Sequence, residues 1–228
     1  LVTVDDVDTA FRASLLGEYR DHASVQMPVV THYETELAVA RGGRPIVARS
    51  TMTLHHTGET ALDTMVFSLN PGLRVLAVED GSGNAVSWSQ GVGLVHVVWP
   101  MQPNQSLRLA ISYEGDIDPN GFDLLRSGTR VTKSRKPFIK GDMTAWVRPH
   151  SVFLPPRSGW YPVPGVAYGG EDRPSYATAR MTVDTPGGLE VITQGREISR
   201  EIDSGRMRTV FEVDRPLTVF SLNAGFYE

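Results

Sequence analysis

The sequence contains no cysteine. That absence excludes disulfide staples, thiol nucleophiles and thiolate zinc sites, and it leaves the compartment open. No run of 18 apolar residues occurs, so no segment reads as a membrane-spanning helix, and no signal peptide is read at the start. A Gly-x-Ser-x-Gly elbow, a P-loop and a dinucleotide fingerprint are all missing. Excess positive charge is missing too: 22 Lys and Arg stand against 26 Asp and Glu, a formal net charge of −4. That balance argues against a general nucleic-acid binder. Neither an internal repeat nor a low-complexity tract is found. The first residue is Leu1 rather than Met, and the expectation is of a piece of a longer chain.

What remains is an ordinary folding composition, with 40% hydrophobic residues, 21% charged residues, 22 Gly and 15 Pro in 228 residues. That length allows one large or two small domains and a sizeable core. Residues 4–21 give the best helix signal. Val7, Phe11, Leu15 and Tyr19 recur at i, i+4, i+8 and i+12, acids cluster near the start and Arg20 lies near the end. Residues 1–27 are therefore expected to form a helical lead-in.

From about residue 28 the period becomes two. VVTHYETELAVA alternates, with Tyr33, Thr35, Leu37 and Val39 on one side, and Leu107, Leu109, Ile111 and Tyr113 alternate in the same way. Asn-Pro-Gly at 70–72 and GSGN at 81–84 mark turns, and AVSWSQ with GLVHVVWP reads as a hairpin. Residues 144–154 read as one strand, and strands or hairpins recur from 176 to 228. Strands at roughly 8–12-residue spacing with Gly and Pro turns predict a mainly β fold over 28–228, an antiparallel sandwich or saddle of sheets.

Two stretches break the pattern. Residues 150–165, HSVFLPPRSGWYPVPG, hold Pro155, Pro156, Pro162 and Pro164 among Phe153, Leu154, Trp160 and Tyr161. So many prolines exclude a helix interior and a regular central strand. The stretch is expected to be a long ordered connection pinned by its aromatics. Residues 118–142 carry Arg126, Arg130, Lys133, Arg135, Lys136 and Lys140. A solvated loop is the favoured reading of these cations, and contact with anionic lipid or an acidic partner is the other.

The six histidines do not assemble into a site by spacing. His55 and His56 are adjacent in a predicted strand and so point to opposite faces. His32 and His55 could meet across a hairpin, but a third ligand is not evident, and no metal site is expected. Trp88, Trp99, Trp146 and Trp160 are read as core anchors in preference to a sugar platform. A sugar-binding sandwich using Trp160 and Tyr161 is the weaker alternative.

The order of FSLNPGLRVLAV, LAISYEGDI, SGWYPV, YATARMTVDTP, LEVITQG and TVFSLNAGFYE resembles the N-terminal β domain of the aminopeptidase N-type zinc metallopeptidases. The stretch FLPPRSGWYPVPG is similar to peptidase-like domains of bacterial membrane proteins fused to ABC-transporter permease segments. The resemblance implies a β domain followed by a thermolysin-like catalytic domain. HExxH and Gly-x-Met-Glu-Asn, which that chemistry needs, are absent here. The chain is therefore expected to be non-catalytic and free of cofactors, with zinc only in a downstream domain.

The family's β domain also lends a Gln or Glu, about ten residues before the aromatic-proline pair, to hold the substrate's amino group. Counting back from Tyr161-Pro162 reaches Ser151, a neutral hydroxyl. The expected groove or interface residues are Ser151, Phe153, Arg157, Trp160, Tyr161, Phe226 and Tyr227. The expected partner is a downstream peptidase-like domain of the same chain. A peptide- or protein-binding module, or one with a membrane partner, is the alternative. The resemblance implies an extracytoplasmic position, tethered to a membrane in the parent protein.

Overall fold

The computed structural model describes residues 17, 27–42, 45–118, 145–156, 158–166 and 175–227. The predicted helix over 4–21 lies outside these residues except for Gly17, which is helical. The basic stretch 126–140 and Arg157 also lie outside them.

The period-two segments become strands: β1 (Val29–Val39), β2 (Ile46–His55), β3 (Leu62–Ser68), β4 (Leu73–Asp80), β5 (Ser87–Gln90), β6 (Leu94–Met101) and β7 (Ser106–Gly115). There follow β8 (Trp146–Arg148), β9 (Ser151–Leu154), β10 (Val163–Pro164), β11 (Ala177–Pro186), β12 (Glu190–Thr193), β13 (Arg196–Asp203), β14 (Arg206–Leu217) and β15 (Leu222–Gly225). They form a seven-stranded sheet, ordered β13-β14-β11-β1-β2-β7-β4, and two four-stranded sheets, β10-β3-β6-β5 and β12-β15-β9-β8.

The alternation read from the sequence sets the faces. Tyr33, Thr35, Leu37 and Val39 of β1 are buried, as are Ile46, Ala48, Ser50, Met52 and Leu54 of β2. The same inward rule picks Leu109, Ile111 and Tyr113 on β7. One apolar cluster joins these to Met65, Phe67, Val95 and Val97 of one small sheet and to Val147, Val152, Leu154 and Leu222 of the other. The core thus lies between the large sheet and the two small ones.

The opposite face of the large sheet belongs to water. Along one cross-strand row the register sets Arg196, Glu212, Arg180, Glu34 and Thr51 side by side. Ion pairs Arg49–Glu79, Arg74–Glu114, Arg108–Glu34, Arg196–Glu212 and Arg206–Asp184 lace it. Exposed pairs of this kind add little stability each, but their alternating sign keeps the face soluble.

Three details depart from the sequence reading. The segment read as one strand over 144–154 is, over its described residues 145–154, a hairpin, because Pro149 fits a turn and β8 folds back on β9. The stretch 150–165 is not wholly irregular, since β9 and β10 lie inside it. Pro164 is tolerated because β10 is an edge strand, pairing only with β3. Finally, β1 and β11 run parallel, His32 opposite Thr178 and Leu37 opposite Val183, within an otherwise antiparallel sheet.

Asn70, fully buried, ties three segments together. Its side-chain amide donates to the carbonyls of Asp118 (3.0 Å) and Ser158 (2.7 Å). Its carbonyl oxygen accepts the amides of Gly72 and Asp118, both at 2.9 Å. The β3–β4 turn, the end of β7 and the proline-rich stretch meet on one saturated carboxamide. The backbones there touch so closely that only glycine fits. A Cβ on Gly72 would lie 2.0 Å from the Asp116 carbonyl oxygen, and one on Gly115 would lie 2.3 Å from that of Gly72.

Asn70→Asp turns two donors into acceptors facing carbonyls, and each buried group left unpaired costs about 1–3 kcal/mol. The midpoint of urea unfolding should fall by an amount equivalent to about 3 kcal/mol or more, and an unchanged midpoint would refute the role of Asn70. Thr209 offers the reverse case: its hydroxyl is buried with no hydrogen-bond partner. Thr209→Val removes the unpaired hydroxyl at nearly constant volume, so stability in the same titration should hold or rise, by up to about 1 kcal/mol.

Candidate interaction surface

A stretch with four prolines has few backbone donors, so what it offers its surroundings is carbonyls. The large sheet meets them with phenols. Tyr33 of β1 donates to the Pro162 carbonyl at 3.2 Å, and Tyr113 of β7 donates to the Trp160 carbonyl at 3.0 Å. Since the single Tyr113 proton is committed there, Ser50 donates to Tyr113 (3.0 Å) and Thr35 to Ser50 (3.1 Å). On the other side, the Trp160 indole N–H donates to the Phe220 carbonyl, and the Phe220 amide donates to the Tyr161 hydroxyl at 3.1 Å. The Tyr33, Tyr161 and Phe220 rings meet edge to face at 5.4–5.8 Å, the favourable arrangement of ring quadrupoles.

This corrects one expectation. Trp160 and Tyr161 are 1% and 4% exposed, so they are core rather than groove residues and offer no sugar platform. Their carbonyl and phenol bonds demand burial, which the count of aromatics alone could not reveal. Trp88 and Trp99 pack partly buried against the same core.

Ser151, Phe153, Phe226 and Tyr227 come together at the outer face of the β12-β15-β9-β8 sheet. Its inward residues are Val147, Val152, Leu154, Val191, Leu222 and Ala224. The register then places Ile192, Asn223, Phe153 and Trp146 in one outward row, and Glu190, Gly225, Ser151 and Arg148 in the next. The Phe153 and Trp146 rings are 4.6 Å apart, and the Arg148 guanidinium lies over the Trp146 ring at 5.7 Å. Tyr227 folds over Gly225, where a Cβ would meet its ring at 3.6 Å. Phe226 rests 5.9 Å from His150 at the sheet's end. Phe226 and Tyr227 are 61% and 49% exposed. Ser151 Oγ accepts the Trp146 indole N–H at 3.2 Å. Trp146, read from the sequence as a core anchor, is instead 36% exposed on this outer face, because the register sets it opposite Phe153 on the outward row; Ile192 joins it without having been singled out. Only the strand register reveals them.

Among the described residues the histidines scatter. His55 bonds Ser106 (3.0 Å) on β7 and His32 bonds Thr178 (2.7 Å) on β11, so the two turn to different neighbours rather than to each other. His56 is buried and donates to the Thr60 carbonyl at 2.6 Å, its other nitrogen accepting the Gly58 amide. Among the described residues no three His, Cys, Asp or Glu side chains are grouped to hold a metal.

The edges of the large sheet are closed to strand addition. Gln90 stands in for a strand beside β4, accepting the Val75 amide (2.8 Å) and donating to the Leu73 carbonyl (2.7 Å). At the far edge, β13 carries alternating charges and a bulge at Ile198, both of which block pairing.

No family model and no curated protein matches the sequence. Solved structures do match. An M1 zinc metallopeptidase from Deinococcus radiodurans superposes with a TM-score of 0.66 at 20% identity, over 88% of this chain and 42% of that one. A two-domain M1 zinc metallopeptidase mutant bound to L-tryptophan gives 0.68 at 22%, over 88% and 43%. Native yeast LTA4 hydrolase gives 0.54 at 15%, over 89% and 30%. At such identity the likeness shows the fold. The chain spans less than half the length of each of these proteins.

Burial raises all three phenols. Tyr33 stands well above the usual phenol range, with Tyr161 and Tyr113 adding to the effect of burial. Tyr113 is also raised by burial, partly offset by the Ser50 bond. Tyr161 is pushed up to about 12 by burial, partly offset by the Phe220 amide. Groups raised on folding contribute stability that is fully present below the unfolded value near 10 and is lost as pH rises through the folded values. Stability should hold to about pH 10 and then fall, with tyrosinate absorbance at 295 nm rising in step with loss of circular dichroism. Ionisation of all tyrosines while the fold persists would contradict the lock. Tyr33→Phe, which leaves the Pro162 carbonyl unpaired, should cost about 1–2 kcal/mol in the same assay.

Proposed function

We propose that this chain is a non-catalytic β domain of a larger peptidase-like protein. It packs against a catalytic or pseudo-catalytic zinc peptidase domain and shapes one wall of its substrate groove. The observation that carries this reading is the M1 metallopeptidase fold, which accounts for 88% of this chain but only 42–43% of the matched M1 zinc metallopeptidase chains. The remainder of those chains is where a comparable protein holds its chemistry. In this reading zinc binds downstream and this domain contributes no ligand.

Ser151, Phe153, Phe226 and Tyr227 face the partner. Ser151 is a neutral hydroxyl already engaged by Trp146, so it makes a poor anchor for a substrate ammonium group. An extracytoplasmic position, a membrane tether and fusion to a permease belong to the same proposal and draw on the sequence resemblance. A peptide-binding module that works by strand addition is less favoured, because both edges of the large sheet are closed.

The test is an aminopeptidase assay on residues 1–228 with added zinc and aminoacyl-p-nitroanilides. No release above the uncatalysed rate is expected. Turnover that tracks the protein through purification would overturn the proposal.

A further inference from the structure

Two buried aliphatic side chains lie outside the core. In the β10-β3-β6-β5 sheet, Met65, Phe67, Val95 and Val97 belong to the apolar cluster shared with the large sheet. Alternation turns Val66 and Leu94 to the opposite side, and neither belongs to that cluster. Yet they are 2% and 0% exposed. The register extends this outer face: Val66 sits opposite His96, Leu94 opposite Ser68 and Thr64 opposite Val98. Ser68 is buried as well, whereas Val98 is 56% exposed. A cover therefore lies over one end of the face and stops short of the other. None of the six residues is an Asp, Glu, Lys or Arg, so the cover meets an uncharged surface.

The chain carries a segment of matching chemistry. Met27, which leads through Pro28 into β1, lies against β3. Its sulfur accepts the Val66 amide at 3.2 Å, and its side chain stands 3.4 Å from where a Cβ on Gly165 would be. Residues 1–26 thus enter the fold at this strand. They hold Val4, Val7, Phe11, Leu15 and Tyr19 at helical spacing. A helix over 4–21 is about 27 Å long, enough to cross several strands spaced about 4.8 Å apart. Gly17 adds a second observation. It is helical, and a Cβ built on it meets nothing within 4 Å. It lies about 200° around the helix from Leu15, the side left to water when the stripe is seated. The cation-rich 119–144 and the short AYGGEDRP at 167–174 offer no comparable stripe.

We infer that the apolar stripe of residues 4–21 seats on the outer face of β3 and β6, over Val66 and Leu94, as a cover supplied by the same chain. An amphipathic helix and an uncharged sheet face each lose apolar area to the other. A second copy presenting its own β3–β6 face would leave the stripe itself without a partner.

The chain has no cysteine, so single thiols read the face directly. In residues 1–228, Val66→Cys should react with a maleimide roughly tenfold or more slowly than Val98→Cys on the same face. The two should react alike in guanidinium chloride. Leu15→Glu in the Val66→Cys background should speed labelling roughly fivefold or more, and Ala13→Glu, on the opposite side of the helix, should not. Near-ultraviolet circular dichroism of the buried rings checks that the core stays folded in each variant. Oxidation gives a second reading: Phe11→Cys or Leu15→Cys should form a disulfide with Val66→Cys within one chain, and Ala13→Cys should not.

Equal native rates for Val66→Cys and Val98→Cys would show an open face and overturn the proposal. Acceleration in any pattern other than by Leu15→Glu alone would assign the cover to another segment, or to another side of this one, and overturn the stripe. Disulfides that join two chains, or protection lost on dilution, would make the occupant a second copy and overturn the intramolecular cover.

Discussion

The fold depends on how a donor-poor segment is held. Four prolines leave residues 155–164 with carbonyls in excess, and phenols rising from the floor of the large sheet answer them. Tyr33 and Tyr113 reach across from β1 and β7 to the Pro162 and Trp160 carbonyls. The indole and phenol of the same segment then bond Phe220. Because each bond is buried, each partner is costly to leave unmatched. The two small sheets are thereby fixed against the large one by a few polar contacts set within an otherwise apolar core.

Asn70 does the same work at the end of the arrangement with different chemistry. A carboxamide has two donors and an acceptor oxygen with two lone pairs, and all four positions are used. The approach of Gly72 to the end of β7 is so close that the turn, the strand and the proline-rich segment share one geometry. The polar groups of this core therefore specify how the sheets meet, while the apolar groups supply most of the driving force.

Much of this was legible in the sequence. A period of two identifies a strand and its inward face, and so Tyr33, Leu37, Leu109 and Tyr113 were read correctly. Periodicity says nothing about which strand lies alongside, so the parallel pairing of β1 with β11 was not legible. The hairpin at Pro149 was hidden because three residues are too few to show alternation. The core-anchor reading held for Trp160 and failed for Trp146, and the placement of Trp160 and Tyr161 in the groove failed, because large rings serve cores and surfaces equally and only their partners decide. Phe153, Ser151 and Tyr227 do share one face, yet the neighbours that complete it, Ile192 and Trp146, are adjacent to them only through the register of three strand pairs.

The parallel pairing also has a consequence for how the chain is made. β1 lies at the heart of the large sheet, but the partner on its far side is distant: His32 bonds Thr178, 146 positions later. At synthesis rates of about 5–20 residues per second, roughly 7–30 s separate the two strands at the ribosome. Through that interval the β1–β2 hairpin carries a bare flank that later closes, so the nascent polypeptide is most vulnerable to misassociation early, long before its last strand emerges.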